Sequence, residues 1–240
     1  MPLEVWYCIP TANFALATET VVRWRDMGYK VALLCDHETM GKDYERLDAD
    51  AKCILPTYVG WPACVNYMSH WAMVRGAGAI VAGGDDMSPD PTKRAAEILY
   101  EFTEHFHGTL GVMQPTGDRW AEDASGRAAS ERICGSPWLG QEWCRRSYGG
   151  KGPLWPEYHH FYVDEELKEV AETLGLLWQR PDLTQHHAHW SRPDSMHSRQ
   201  PYHKRLQTNW DKDKELFQRR KAAGFPNHPL KEVGDAVAVR

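Results

Sequence analysis

The chain has 240 residues, 42% of them hydrophobic and 25% charged, and a formal net charge of −5. That balance excludes a disordered chain and is enough to bury the core of one large α/β domain with appendages. Charge is uneven, with a net −10 over the first 190 residues and +5 over 191–240, so a nucleic-acid contact by a basic tail stands beside the plainer reading, a solvated mixed-charge helix around Gln207 to Ala223.

In chain order, Leu3 to Ile9 reads as a strand ending in the turn Pro10 to Asn13, and Phe14 to Met27 as a helix closed by Gly28. Lys30 to Cys35 is the next strand and ends at Asp36; Ala51 to Leu55 is a short third. Pro62 to Arg75 is a helix with Val65, Met68 and Ala72 on one face, stopped by Gly76. Ala79 to Ala82 is then a buried strand that runs into Asp85 and Asp86. This alternation predicts a parallel sheet with right-handed crossovers, an architecture suited to nucleotides. The second half is less regular. It holds a helix over about Thr92 to His105, a strand at Thr109 to Met113 and a Gly/Trp-rich stretch from Gly135 to Pro156. A helix from Asp164 to Leu174 and a strand at Leu176 to Gln179 follow, leading into a histidine cluster.

The six cysteines form no C-x-x-C pair, and several lie in apolar strand-like runs, which favours buried, reduced thiols in a cytoplasmic protein. Val5 to Ala17 is apolar enough to suggest a signal peptide, but Glu4 replaces a basic start and Pro10, Thr11 and Asn13 interrupt the run. No stretch reaches membrane-span length.

Two adjacent carboxylates at the end of a buried strand point to a metal site, because ligands of open α/β sheets bind beyond the carboxyl ends of the strands. Hard oxygen donors there suit Mg²⁺ or Mn²⁺ carrying substrate phosphates. The competing reading makes Asp85 and Asp86 caps of the next helix, opened by Pro89 and Pro91. The second motif is Thr184 to Trp190, with His186, His187 and His189. Alternation puts His187 and His189 on one side, as metal or diphosphate contacts. Trp138, Trp143 and Trp155 among glycines suit an acceptor wall, since aromatic faces stack on rings. No G-x-x-x-x-G-K-[ST] loop is present, and Gly76-Ala-Gly78 precedes a strand instead of following one, so it is no dinucleotide fingerprint.

Together these segments resemble the GT-A glycosyltransferases, particularly the inverting family 2 type that uses nucleotide-diphospho-sugars, over about Val5 to Trp190. The resemblance implies a Rossmann-like GT-A domain at 1–190, with a mostly parallel central sheet flanked by helices. Its nucleotide-sugar-binding half is 1–91 and its acceptor and catalytic half 92–190; a basic helical or irregular extension follows at 191–240. It implies that Pro10, Thr11 and Asp36 hold the donor nucleoside, such as a uridine of UDP, with Asn66 from the segment Gly60 to Asn66 and with Asp85. Val65 departs from the family's arginine, and Gly84 stands where the first acid of Asp-x-Asp belongs, so the Mn²⁺ or Mg²⁺ rests mainly on Asp86, completed by His187 or His189. Asp164 in Asp164 to Leu167 corresponds to the general base, with Glu165 beside it toward the acceptor.

The activity so implied is metal-dependent inverting transfer of a sugar from a nucleoside-diphosphate-sugar to a hydroxyl acceptor, a glycan or a modified DNA base. Two rivals remain. A nucleotidyltransferase shares the sheet and the carboxylates but needs a Gly-rich basic loop after the first strand, and Pro10 to Phe14 has no Gly, Lys or Arg. A non-catalytic zinc- or sugar-binding module could be built around the histidines and tryptophans.

Overall fold

The computed structural model describes residues 3–193, 195 and 202–227; the rest of the expected extension, at 194, 196–201 and 228–240, lies outside the described residues. The first half runs β1 (Glu4–Thr11), α1 (Phe14–Asp26), β2 (Lys30–Asp36), the short α2 (His37–Met40) and α3 (Asp43–Arg46), β3 (Ala51–Leu55), α4 (Trp61–Val74) and β4 (Ala77–Ala82). The second half continues with β5 (Met87–Ser88), α5 (Ala95–Phe106), β6 (Val112–Pro115), α6 (Ala129–Arg132), β7 (Trp138–Gly140) and α7 (Gln141–Arg146). A 3₁₀ turn at Ser147–Gly150 leads on to α8 (Val163–Thr173), β8 (Leu177–Arg180), β9 (His186–His187), α9 (Tyr202–Gln207) and α10 (Trp210–Ala222).

Seven strands form one sheet in the order β3-β2-β1-β4-β7-β6-β8, and β5 pairs with β9 in a separate two-stranded ribbon. The sheet is parallel except for β7, which runs antiparallel to both β4 and β6. This three-residue strand lies inside the Gly/Trp-rich stretch read as irregular. Its Trp-Leu-Gly run is too short to carry a period, and its pairing is decided by the strands on either side.

Side-chain alternation explains the layers. Trp6 and Cys8 of β1, with Ala32 and Leu34 of β2, face a core closed by α4, α7 and α8. Val5, Tyr7 and Ile9, with Val31 and Leu33, face the opposite core under α1 and α5. Both faces are covered, as a parallel sheet requires. Asn13 opens α1 by accepting the Leu16 amide at 3.1 Å, so the chain leaves β1 in a fixed direction. Asp50 ties the next turn, accepting from Arg25 and from the Val31 amide at 2.9 Å each.

Helix α10 packs on α8 through a buried ion pair. Glu166, fully buried, accepts from Arg220 Nε and Nη2 at 2.8 and 2.7 Å and from the hydroxyls of Tyr148 and Tyr158 at 3.0 and 2.8 Å. Arg220 also lies 3.7 Å over the Trp155 ring. Helix α10 is thereby joined to the domain. Among the described residues no helix is long and apolar enough to cross a membrane.

Candidate functional site

From β1 the chain moves outward to β2 and β3, then returns through α4 to β4 on the other side of β1. Connections therefore diverge between β1 and β4, and the crevice at their carboxyl ends is the expected ligand position. A cavity of about 720 Å³ opens there. Its lining carries six acids, Asp36, Glu38, Asp85, Asp86, Asp118 and Asp164, and among the described residues no Lys or Arg.

The loop after β4 is held from three sides. Tyr7 donates to the Gly84 carbonyl at 2.6 Å, Trp61 Nε1 to the Gly83 carbonyl at 3.1 Å, and Thr20 to the Asp85 carbonyl at 2.6 Å. Thr11, at the end of β1, donates its hydroxyl to the Asp85 carboxyl at 2.5 Å. Burial, opposed by that hydroxyl and aided by the charge of Asp86, pushes Asp85 up to about 7.

Asp86 behaves in the opposite way. The β5–β9 ribbon pairs Met87 with His187, and the Ala188 amide donates to the Asp86 carbonyl at 2.8 Å. As a result the His187 imidazole Nε2 lies 3.2 Å from Asp86 Oδ2, across 101 residues of sequence. Burial works against ionisation of Asp86, but the hydrogen bond and charge of His187 outweigh it and hold the carboxyl below its usual range. The His189 ring follows, 5.1 Å from that of His187, and also lines the cavity. No group of three or more His, Cys, Asp or Glu converges among the described residues. A hard carboxylate and an imidazole are the two side chains here that would hold a Mn²⁺ or Mg²⁺ ion, with water and phosphate oxygens left to complete its ligands.

Pro10, Thr11 and Asp36 line the β1–β2 end of the cavity. Asp36 also caps α2, its Oδ1 accepting from the Thr39 amide at 2.9 Å and hydroxyl at 2.8 Å. Asp164 lines the cavity from the first turn of α8 and accepts the Glu165 amide at 3.2 Å.

Four expected contacts are corrected. Asn66 does not reach the cavity: its side chain bonds both the amide and the carbonyl of Leu154, at 3.1 and 2.8 Å, and a Cβ on Gly152 (φ +126°) would lie 2.4 Å from it. It is a clamp between α4 and the Gly-rich loop. Trp138 is fully buried in β7 with Nε1 bonded to Gln185 at 2.8 Å, and Trp143 is buried in α7 with Nε1 toward the Pro153 carbonyl at 3.3 Å. Both are core, because large indoles bury well once their N–H has a partner. Glu165 turns to a separate surface groove beside Arg132 and Lys168, where burial and the neighbouring Asp164 push it up to about 9.

Other lining residues had weaker sequence signals. Asp118 and Trp120 follow β6 and line the cavity, an acid and an aromatic beyond a strand's carboxyl end, the same signal that Asp85 and Asp86 gave. Asp118 accepts the His187 amide at 2.9 Å and pairs with Arg192, which itself bonds the His187 carbonyl. His159, His160 and Phe161 form another wall, and the carboxylate of Asp213 in α10 accepts their three amides at 3.0, 2.8 and 2.9 Å. That wall meets α4 at Gly60 (φ +101°), where any Cβ would sit 2.6 Å from the His159 carbonyl.

No sequence profile of a known protein family and no curated protein sequence matches the chain. Among solved structures it is similar to a mannose-1-phosphate geranyltransferase from Thermus thermophilus, with 12% identity and a TM-score of 0.38 over 51% of this chain and 43% of that one. It thus spans less than half the length of that protein. A Mycobacterium tuberculosis protein in complex with manganese is 14% identical, with a TM-score of 0.39 over 75% of this chain and 88% of the other. A Bacillus anthracis protein assigned as a glucose-1-phosphate thymidylyltransferase, in complex with sucrose, is 8% identical, with a TM-score of 0.41 over 74% and 85%. Likeness at these scores assigns no activity, and what the cavity does rests on its own residues.

Proposed function

We propose that the chain is a nucleotide-sugar-dependent glycosyltransferase of the inverting GT-A kind that works with Mn²⁺ or Mg²⁺. The observation that carries this reading is the Asp86–His187 pair, 3.2 Å apart at the switch point of the sheet, in a cavity whose described lining has no Lys or Arg. A diphosphate placed among six acids needs a cation, and the fold supplies two donors for one instead of a lysine or arginine. When bound, such an ion neutralises the charge that develops on the leaving nucleoside diphosphate.

The chain's own residues supply the rest. Pro10, Thr11 and Asp36 bound the nucleoside end, where a carboxylate accepts from a base or ribose without help from metal. Asp85, tied to Thr11, fixes the loop that presents Asp86. Asp164 is the base that takes the acceptor's proton as its oxygen attacks the anomeric carbon, and with one base and no enzyme nucleophile the anomeric configuration inverts. A nucleotidyltransferase is less well supported, since the turn after β1 has neither glycine nor basic residue with which to cradle a triphosphate.

Thermal shift of the full chain against UDP, GDP, CDP and dTDP, each with and without Mn²⁺, tests the reading. One nucleotide should stabilise the protein only with metal, and both Asp86→Ala and His187→Ala should remove the effect. Nucleotide and metal affinities unchanged in both variants would remove the basis of the site.

A further inference from the structure

Strand order gives the cavity a direction. Asp36 ends β2, the Asp86–His187 pair lies past β4, and Trp120 past β6, on the far side of the pair from the nucleoside end. At that far end Trp120 has its ring 5.3 Å from His187 and 4.8 Å from His189, and the Trp190 ring lies 5.2 Å from His189. Both indoles are half-buried cavity lining, unlike the core indoles Trp138 and Trp143. The loop that carries Trp120 is locked to the metal pair, because Asp118 accepts the His187 amide and binds Arg192 while Arg192 lies 5.4 Å over the Trp120 ring.

Resting on the glycosyltransferase reading, we infer that Trp120 and Trp190 form the acceptor platform and that the acceptor is an uncharged sugar ring, not a base in DNA. The chemistry of the wall favours this class. An indole face binds the C–H face of a pyranose through apolar contact. Among the described residues, the Arg192 guanidinium beside the platform is already paired with Asp118. A nucleic-acid acceptor requires several phosphate-neutralising cations along its path, and the described lining supplies acids alone as fixed charges.

Saturation-transfer NMR on the full chain with Mg²⁺ and UDP tests this. The probes are the methyl α- and β-glycosides of glucose, galactose and mannose, and an oligonucleotide containing 5-hydroxymethylcytosine. At least one glycoside should show transfer to its ring C–H protons, and Trp120→Ala and Trp190→Ala should each weaken its binding by about tenfold, the loss expected for a stacked ring. Trp120→Phe should retain most of it, and UDP affinity should not change in any of the three. Silence from every glycoside, glycoside binding indifferent to both indoles, or displacement of the glycoside by the oligonucleotide would overturn the inference. Loss of UDP binding in Trp120→Ala would overturn it too, by moving the indole to the nucleobase. If the wild-type chain binds a glycoside through Trp120 but none of UDP, GDP, CDP and dTDP with metal, the sugar platform stands and the glycosyltransferase reading falls.

Discussion

Asp85 and Asp86 are adjacent in sequence yet do opposite work. Asp85 is buried, pushed up to about 7 and locked to Thr11, whereas Asp86, a quarter exposed, is held below the usual carboxylate range by the hydrogen bond and charge of His187. The two acids and the histidines are visible in sequence as metal candidates, because acids past a buried strand and imidazoles in alternation are chemical signals readable without a partner. Which indoles reach the cavity is not visible there, because Trp120 and Trp138 differ only in what packs around them. Asn66 escapes a sequence reading for a related reason: its backbone clamp on Leu154 depends on a loop 88 residues away. Asp164→Asn should keep nucleotide and metal binding, measured calorimetrically, while transfer falls by about 10²-fold or more, the usual weight of a general base. Full activity in that variant would reassign the role. Metal-dependent nucleotide affinity should decline toward acid pH, since a protonated imidazole has no lone pair to give; an affinity that stays level as the pH falls would show that no imidazole holds the ion.

Among elements, the strands of the first half are legible in sequence to within about two residues, because continuous apolar runs bounded by Pro, Gly and Asp leave few other readings. The ribbon of β5 and β9 is not, being two residues on each side, yet it is the element that carries His187 to Asp86. Nor is the docking of α10, where sequence shows only mixed charge and the structure buries Arg220 against Glu166. Removing one partner of a buried pair leaves the other charge uncompensated, so Arg220→Ala should cost about 3–5 kcal/mol in urea unfolding. A change well below that would mean the tyrosine hydroxyls alone satisfy Glu166. The α1–β2 turn offers a milder case. Burial disfavours the Asp50 carboxylate, but the Val31 amide and Arg25 more than compensate and lower its pKa. A depressed carboxyl stabilises the fold above its unfolded pKa of about 4 and loses that effect as the pH falls through the folded value. The stability gap between wild type and Asp50→Ala should therefore be full near neutrality and shrink below about pH 4. A gap that stays constant well into the acid range would show that charge is not its source.

For the molecule as a whole, the α/β class and the position of the cavity follow from strand order alone, since the switch between β1 and β4 exists wherever the chain reverses its direction of winding. Chemistry enters through what stands at that point: a turn without cations, six acids and an acid–imidazole pair. At issue is whether this site breaks the bond between sugar and diphosphate or makes a nucleotide–phosphate bond, and phosphorus NMR separates the two directly. With Mg²⁺, a panel of nucleoside-diphosphate-sugars and a mixture of methyl glycosides, one donor should yield resonances of the free nucleoside diphosphate, with none from Asp164→Asn on the same timescale. Inertness toward every donor, together with formation of nucleoside triphosphate when pyrophosphate is added, would contradict the glycosyltransferase assignment and make the chain a nucleotidyltransferase.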